Sequence, residues 1–206
     1  MRKIAESTVR RLSLYLRFLE KFEQEGIATV SSQALAERGG TTSAQVRKDL
    51  SFFGSFGKRG LGYSVPELSR TLRDILGLER PYNVAVIGAG KIGTALVQYP
   101  GFANRGFHIR WVYDRDPRKI GVSCNHLKIR DVAQMEAELA EAKVDIAILA
   151  TPADGAQGIT DRLVAIGVKA ILNFAPVQLD VPADVSVQHV NMALELETLS
   201  YALRNR

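Results

Sequence analysis

Apolar positions recur at helical spacing through the first 80 residues and then gather into short continuous runs. From about residue 6 to residue 25, Val9, Leu12, Leu16 and Leu19 share one face at i, i+3, i+7 and i+10. Tyr15, Phe18 and Phe22 lie beside them, and Gly26 stops the helix. A second short helix, capped by Ser31 or Ser32, runs through Leu35 to about Arg38. A Gly-Gly-Thr-Thr turn follows, and Ser43 is placed to cap a third helix that turns Val46, Leu50 and Phe53 inward. Residues 54–63 hold four glycines and read as a hairpin tipped by Lys58 and Arg59. The spacing of Leu68, Leu72, Ile75 and Leu76 predicts one more amphipathic helix over 65–78.

The pattern changes after Glu79-Arg80-Pro81. Apolar runs at 83–87, 108–113, 144–150, 170–174 and 185–190, rich in Val, Ile and Ala, alternate with helical segments. Nearly continuous apolar strands separated by helices predict a parallel sheet buried on both faces. Residues 192–204 close the chain as a helix with Met192, Leu196, Leu199 and Leu203 in line. The fold class is therefore α/β. A winged helix-turn-helix domain over 1–80 precedes a Rossmann-like doubly wound parallel sheet over 81–191 and a C-terminal helix over 192–206.

Charge sharpens that division. The 206 residues carry a net charge of +5. Residues 1–80 contain 14 basic and 9 acidic side chains, and residues 81–206 contain 13 of each, so the whole excess lies in the first module. A hydrophobic content of 46% suits a chain with a sizeable core. The single Cys124 rules out a disulfide within the chain and a thiolate zinc cage built from this chain alone, and no metal is expected. No stretch approaches the ~20 apolar residues of a membrane span. The N-terminus shows no signal-peptide pattern, so a cytoplasmic setting is expected.

Chemistry is concentrated in two places. The first is Gly88-Ala89-Gly90-Lys91-Ile92-Gly93, set between a predicted strand and a predicted helix. Gly88 permits a tight turn, Gly90 lets backbone approach a pyrophosphate, and Gly93 lets the helix pack on the strand, with the helix N-terminus facing phosphate. Asp114 follows 21 residues beyond Gly93, at the end of the next strand. A carboxylate there accepts from the adenosine ribose hydroxyls and repels a 2′-phosphate, which favours NAD(H) over NADP(H) despite the nearby Arg110 and Arg115. The same residue argues against coenzyme A, for which a similar glycine loop would serve.

The second place is the third helix. Its outward positions are Ser43, Gln45, Arg47, Lys48 and Ser51. In a helix-turn-helix the N-terminal part of this helix enters a major groove, Gln and Arg suit base edges, and Lys and Ser suit phosphates. Lys58 and Arg59 at the hairpin tip would reach a minor groove or phosphates. Asp49 and Glu37 read as acidic interruptions of that surface.

Read as a string, Val46-Arg-Lys-Asp-Leu-Ser-Phe-Phe-Gly-Ser-Phe-Gly-Lys-Arg-Gly-Leu-Gly-Tyr63 closely resembles the DNA-reading segment of the Rex family of redox-sensing transcriptional repressors. The similarity continues through the glycine loop, Tyr99-Pro-Gly-Phe102, Ile171-Leu-Asn-Phe-Ala-Pro176 and Leu194-Glu-Leu-Glu-Thr-Leu199. The resemblance implies a homodimer whose C-terminal helix crosses to its partner. It implies binding of a palindromic double-stranded DNA operator, with NADH releasing it. It places Tyr99 near the cofactor as part of the switch, and makes Arg17 a link between the DNA module and the cofactor domain. The family commonly has Asp at the start of the last helix. This chain has Asn191, followed by Met192, which removes a charge-assisted pair from the implied switch.

The competing class is a small NAD-dependent oxidoreductase with an accessory N-terminal domain. The strand-helix units leave no room for a substrate domain. His108, His126 and His189 lack an Asp partner pattern, Lys91 sits inside the phosphate loop, and Cys124 has no accompanying histidine arrangement. No catalytic residue is expected.

Overall fold

The structure, a computed structural model, describes residues 4–57 and 61–205. The chain divides into two compact units, Met1–Arg80 and Pro81–Arg206.

In the first unit, α1 (Glu6–Gln24) buries Thr8, Leu12, Tyr15, Leu16, Leu19 and Phe22. Its inward face is turned by one residue from the one expected. Thr8 completes the row through Leu12, Tyr15, Leu19 and Phe22 at alternating spacings of four and three, and Val9 is 40% exposed. β1 (Thr29–Val30) leads into α2 (Ser32–Gly39), where Ser31 Oγ accepts the Ala34 N–H at 3.1 Å. α3 (Ser43–Ser51) is capped by Thr42, not Ser43: Thr42 Oγ1 accepts the Gln45 N–H at 3.1 Å, which makes Ser43 the first helical residue. Phe53 lies beyond the end of α3 and packs only partly against the core.

β2 (Tyr63–Ser64) pairs antiparallel with β1, Val30 opposite Tyr63, and α4 (Val65–Ile75) follows directly. The glycine-rich segment does fold back on itself, since a Cβ at Gly57 would stand 2.5 Å from the Gly62 carbonyl oxygen. Its paired strand partner, however, is β1, more than thirty residues upstream, which a local glycine pattern cannot reveal. Lys58 and Arg59 lie outside the described residues. Leu12, Leu16, Leu19, Leu35, Val46, Leu50, Leu68 and Leu72 from all four helices form one core, and removing any one of these leucine side chains to Ala costs about 2–5 kcal/mol.

The second unit is a seven-stranded sheet. Its strands are β3 (Tyr82–Ile87), β4 (Phe107–Asp114), β5 (Ser123–Cys124), β6 (Leu127–Asp131), β7 (Ile146–Leu149), β8 (Ala170–Asn173) and β9 (Ser186–His189), in the order β5-β6-β4-β3-β7-β8-β9. Every neighbouring pair is parallel except the β5–β6 hairpin. β3 is central, and its residues Val84 to Ile87 alternate between two cores. Ala85 and Ile87 join Tyr113, Leu149 and residues of α6 (Met135–Glu141) and α7 (Ala153–Ala165). Val84 and Val86 join Val112, Ile148 and Val97 of α5 (Lys91–Gln98). Helices on both faces of a parallel sheet in this strand order make the doubly wound, Rossmann-type architecture.

β5 and β6 fall outside the apolar runs of the sequence. Along Leu127-Lys-Ile-Arg-Asp131 only Ile129 is buried, so the segment carries the weak alternation of a strand toward the sheet edge. The closing helix α8 (Met192–Arg204) has no buried residue.

Candidate functional site

The strand order reverses at β3: the chain steps to β4 on one side and later returns to β7 on the other. Ligands of open α/β sheets bind in the crevice at the carboxyl ends of the strands at such a point. A cavity of about 860 Å³ opens there, lined among others by Gly88, Gly90, Lys91, Ile92, Asp114 and Thr151.

The three glycines of the loop have different reasons to be glycine. Gly88 has φ +101°, and a Cβ there would stand 2.5 Å from the Ala150 carbonyl oxygen. At Gly93 a Cβ would meet the Gly88 carbonyl oxygen at 1.8 Å, so this glycine lets α5 close on the strand end. Gly90 differs from both. Its φ is −81°, which any residue adopts, and a Cβ there meets nothing within 4 Å. The protein's own packing does not require glycine at 90, and the free space faces the cavity. Gly90 is also the N-cap of α5 and offers no side-chain cap, and the first turn holds no acid, so the uncapped amides and the helix dipole suit an anion.

Asp114 ends β4 and is 8% exposed. Its Oδ2 accepts the Ala89 N–H at 2.8 Å and the Lys119 ammonium at 2.9 Å, and its Oδ1 accepts the Asp116 N–H at 2.8 Å. Burial alone pushes this carboxyl up. The Asp116 amide, the Lys119 ammonium and the Ala89 amide outweigh burial and hold it below the usual carboxylate range. It stands ionised at the cavity wall, as an acceptor for a ribose diol must.

Other residues of the cavity wall stand out less in the sequence. Lys119 is one; it lies in the charged run Arg115-Asp-Pro-Arg-Lys119, where nothing in the sequence says which cation turns to Asp114. Thr151 is another. Its Oγ1 is buried with no hydrogen-bond partner, beside a cavity it lines. A buried hydroxyl left without a partner costs about 1–3 kcal/mol, and an orphan at a cavity wall is available to a ligand. The sequence signal was a strand run ending in Ala-Thr-Pro ahead of a helix, a second strand-to-helix turn beside the first. Arg162 completes that wall, held by the Glu136 carboxylate and by the Val132 carbonyl oxygen at 2.7 Å. This arrangement fits a dinucleotide: open space over uncapped amides, an ionised carboxylate for a diol, and an unpartnered hydroxyl.

Of the expected cofactor residues, Gly88, Gly90, Lys91, Ile92 and Asp114 line the cavity. Ala89 and Gly93 are buried behind it and shape the loop. Tyr99 is not brought there. It caps the far end of α5, about 12 Å along the helix from the loop, 57% exposed and edge-on to Phe102. Arg17 is exposed on α1. Asn191 caps α8 through Oδ1, which accepts the Ala193 N–H at 3.0 Å, and Met192 is 59% exposed.

On α3, Arg47, Lys48 and Ser51 are exposed, whereas Ser43 and Gln45 are half-buried. Arg47 Nη1 donates to Ser32 Oγ at 3.0 Å, and Ser51 Oγ turns back to the Lys48 carbonyl at 2.8 Å. Asp49 is not a surface acid: it is fully buried. Arg11 reaches it from α1 with Nε at 2.6 Å and Nη2 at 2.7 Å, Tyr15 Oη donates at 3.0 Å, and Gln45 Nε2 donates at 2.8 Å.

Among the described residues there is no cluster of three side chains able to hold a metal, and no helix is long and apolar enough to cross a membrane. His189 Nδ1 lies 3.0 Å from Asn173 Nδ2. Cys124 is buried, and burial pushes its thiol up, away from the reactive thiolate form.

Comparison with known proteins follows the same two-part division. Residues 3–51 match a family model described as a putative DNA-binding protein N-terminus, and residues 79–177 match one described as a CoA binding domain. The chain is 48% identical over 202 residues to the redox-sensing transcriptional repressor Rex of Carboxydothermus hydrogenoformans, covering 98% of this chain and 97% of that one. It is 47% identical over 206 residues to the protein of the same description from Syntrophomonas wolfei, covering 99% and 98%. Among solved structures it is similar to RSP, a Rex-family repressor, at 40% identity and a TM-score of 0.92 over 100% of this chain and 96% of that one. It is also similar to RSP in complex with NAD⁺ and operator DNA (TM-score 0.94, 40% identity, covering 100% and 94%) and with NADH (TM-score 0.90, 39% identity, covering 100% and 96%).

Proposed function

This chain belongs to the Rex family of redox-sensing transcriptional repressors, and we propose that it binds operator DNA through residues 1–80 and releases it when NADH occupies the cavity of residues 81–206. The observation that carries the cofactor half is Gly90, a glycine that the fold itself does not need, set over an uncapped helix start. Gly90 and the first amides of α5 hold the pyrophosphate, Asp114 takes the adenosine ribose diol, and Thr151 donates to the nicotinamide half. When bound, NAD(H) would supply a redox-dependent shape and charge to this site. The Asp114 carboxylate disfavours a 2′-phosphate, and equally the 3′-phosphate on the ribose of coenzyme A.

Arg47 and Lys48 of α3, with Lys58 and Arg59, supply the phosphate and base-edge contacts. Two copies form a dimer across α8, whose Met192, Leu196, Leu199 and Leu203 are all at least 59% exposed, and a two-fold pair of α3 helices suits a palindrome. The protein is a cytoplasmic regulator and not an enzyme. Release requires two dimer arrangements that NADH and DNA prefer unequally; a hundredfold release corresponds to about 2.7 kcal/mol of coupling. Tyr99, Arg17 and Asn191, each exposed in the single chain, are the switch contacts. Because Asn191 cannot form the charge-assisted pair of the family's Asp, Asn191→Asp changes the NADH response of DNA binding more than NADH affinity. Equal shifts in both, or none in either, count against that role.

Gly90→Val tests the cofactor half directly. The new Cβ meets no protein atom within 4 Å and the backbone angle suits any residue, so the side chain is aimed at the open space where the pyrophosphate would go, and a melting curve checks that the fold is kept. The variant is expected to bind DNA as the parent does and to ignore NADH. Normal NADH-driven release by Gly90→Val would overturn the placement.

A further inference from the structure

The buried carboxylate of Asp49 lies on α3, the proposed DNA-contacting helix. Its two oxygens are fully used. Oδ2 accepts from Arg11 Nε at 2.6 Å and Tyr15 Oη at 3.0 Å, and Oδ1 accepts from Arg11 Nη2 at 2.7 Å and Gln45 Nε2 at 2.8 Å. Burial pushes Asp49 up, and the hydrogen bonds from Arg11, Gln45 and Tyr15 outweigh it and leave the group ionised. An ionised carboxylate only accepts. The Gln45 amide can therefore face it in one sense, nitrogen inward, because the reversed amide would set oxygen against oxygen. Its Oε1 is directed away from the carboxylate, and among the described residues no donor meets it. Gln45 sits in the first turn of α3, half-buried at its base, in the part of a recognition helix that approaches base edges.

We propose that Asp49 is a positioning residue that fixes the polarity of the Gln45 amide, so that Gln45 presents its carbonyl oxygen and selects, on the strand it faces, a base with an exocyclic amino group in the major groove, adenine (N6) or cytosine (N4) rather than guanine or thymine. This rests on the reading that residues 1–80 bind duplex DNA. A free glutamine reads acceptors and donors alike by rotating its amide. Held by Asp49, it rejects an edge that offers only acceptors at that point, such as guanine O6 and N7. The device also ties base choice to α1, since Arg11 and Tyr15 complete the grip.

The test uses the full-length protein and a duplex selected on it from a randomised library. Relative affinities are then measured for every single base-pair substitution, alongside affinity for random duplex and its salt dependence. Gln45→Leu, which leaves Asp49 its three other donors, is expected to lose about tenfold preference at one base pair per half-site, that pair carrying A or C opposite Gln45. Random-duplex affinity and salt slope stay unchanged, because no phosphate contact is removed. Asp49→Asn is expected to relax preference at the same base pair, where a merely structural role would weaken all positions alike. An unchanged base profile in Gln45→Leu, or a lost preference for guanine, overturns the proposal while leaving DNA binding intact. Failure of the parent protein to select any duplex overturns the underlying reading and the proposal with it.

Discussion

The Asp114 carboxylate accepts the Ala89 amide at 2.8 Å, so the last residue of β4 is tied to the middle of the glycine loop that follows β3. One side chain thus holds the loop in shape and offers the cavity its only lining carboxylate at the end of a sheet strand, among the described residues. In the proposed function, this contact couples loop geometry to cofactor choice.

Asp114→Asn is expected to lower NADH affinity by about tenfold and to narrow the preference for NADH over NADPH, because the charge that repels a 2′-phosphate is gone. Losing a charged partner for Lys119 also lowers stability by about 1–3 kcal/mol. Calorimetric titration with both nucleotides, together with a melting curve, reads all three. An unchanged nucleotide ratio contradicts the role given to Asp114.

Acid should loosen the first unit through Asp49. Its folded-state pKa lies below the unfolded value of about 3.9, so the ionised carboxylate contributes stability above that value, and the contribution is lost as pH falls through the lower folded one. The parent protein should therefore lose stability steeply below about pH 4. Asp49→Asn, already without the contribution at pH 7, should melt lower there and show a shallower acid decline. Parallel pH profiles of melting temperature for the two proteins contradict this.

Thr151 separates binding from stability. Thr151→Val removes a buried hydroxyl that has no partner in the protein, so the melting temperature should hold or rise, while NADH affinity falls about fivefold to tenfold. Thr151→Ser keeps the hydroxyl and should keep the affinity. A Val variant that binds NADH as tightly as the parent removes Thr151 from the site.

Much of this was readable in the sequence, and the limits were local. The glycine loop and the carboxylate at the next strand end announced themselves by spacing, and five apolar runs marked five strands of the sheet. β6 escaped because a strand with only Ile129 buried lacks the dense apolar run of its central neighbours. Asp49 read as a surface acid because its partner Arg11 lies 38 residues away on another helix, a pairing that only tertiary structure makes. Lys119 was one cation among several, and Thr151 belongs to a turn whose purpose shows only when β7 is placed beside β3. The resemblance, not the residue pattern, places Tyr99 near the cofactor, and in the single chain it lies away from the cavity.

The dimer is tested on α8. Leu196 and Leu199 are 67% and 60% exposed, and Leu196→Glu with Leu199→Glu sets charge into the apolar row without touching any of the three cores. Light scattering should show the parent at twice the chain mass and the double variant at once. A monomeric parent, or a double variant that stays dimeric, contradicts an α8 interface.

Linkage between NADH and DNA can be read in one titration. A fluorescent duplex selected on the protein is held at half-saturation while NADH, NAD⁺ and NADPH are added separately. NADH alone is expected to release the duplex, and saturating duplex to weaken NADH binding by the same factor, since coupling between two binding sites is reciprocal. A duplex that stays bound through saturating NADH, or steady hydride turnover with a small substrate by a protein that binds no DNA, contradicts it.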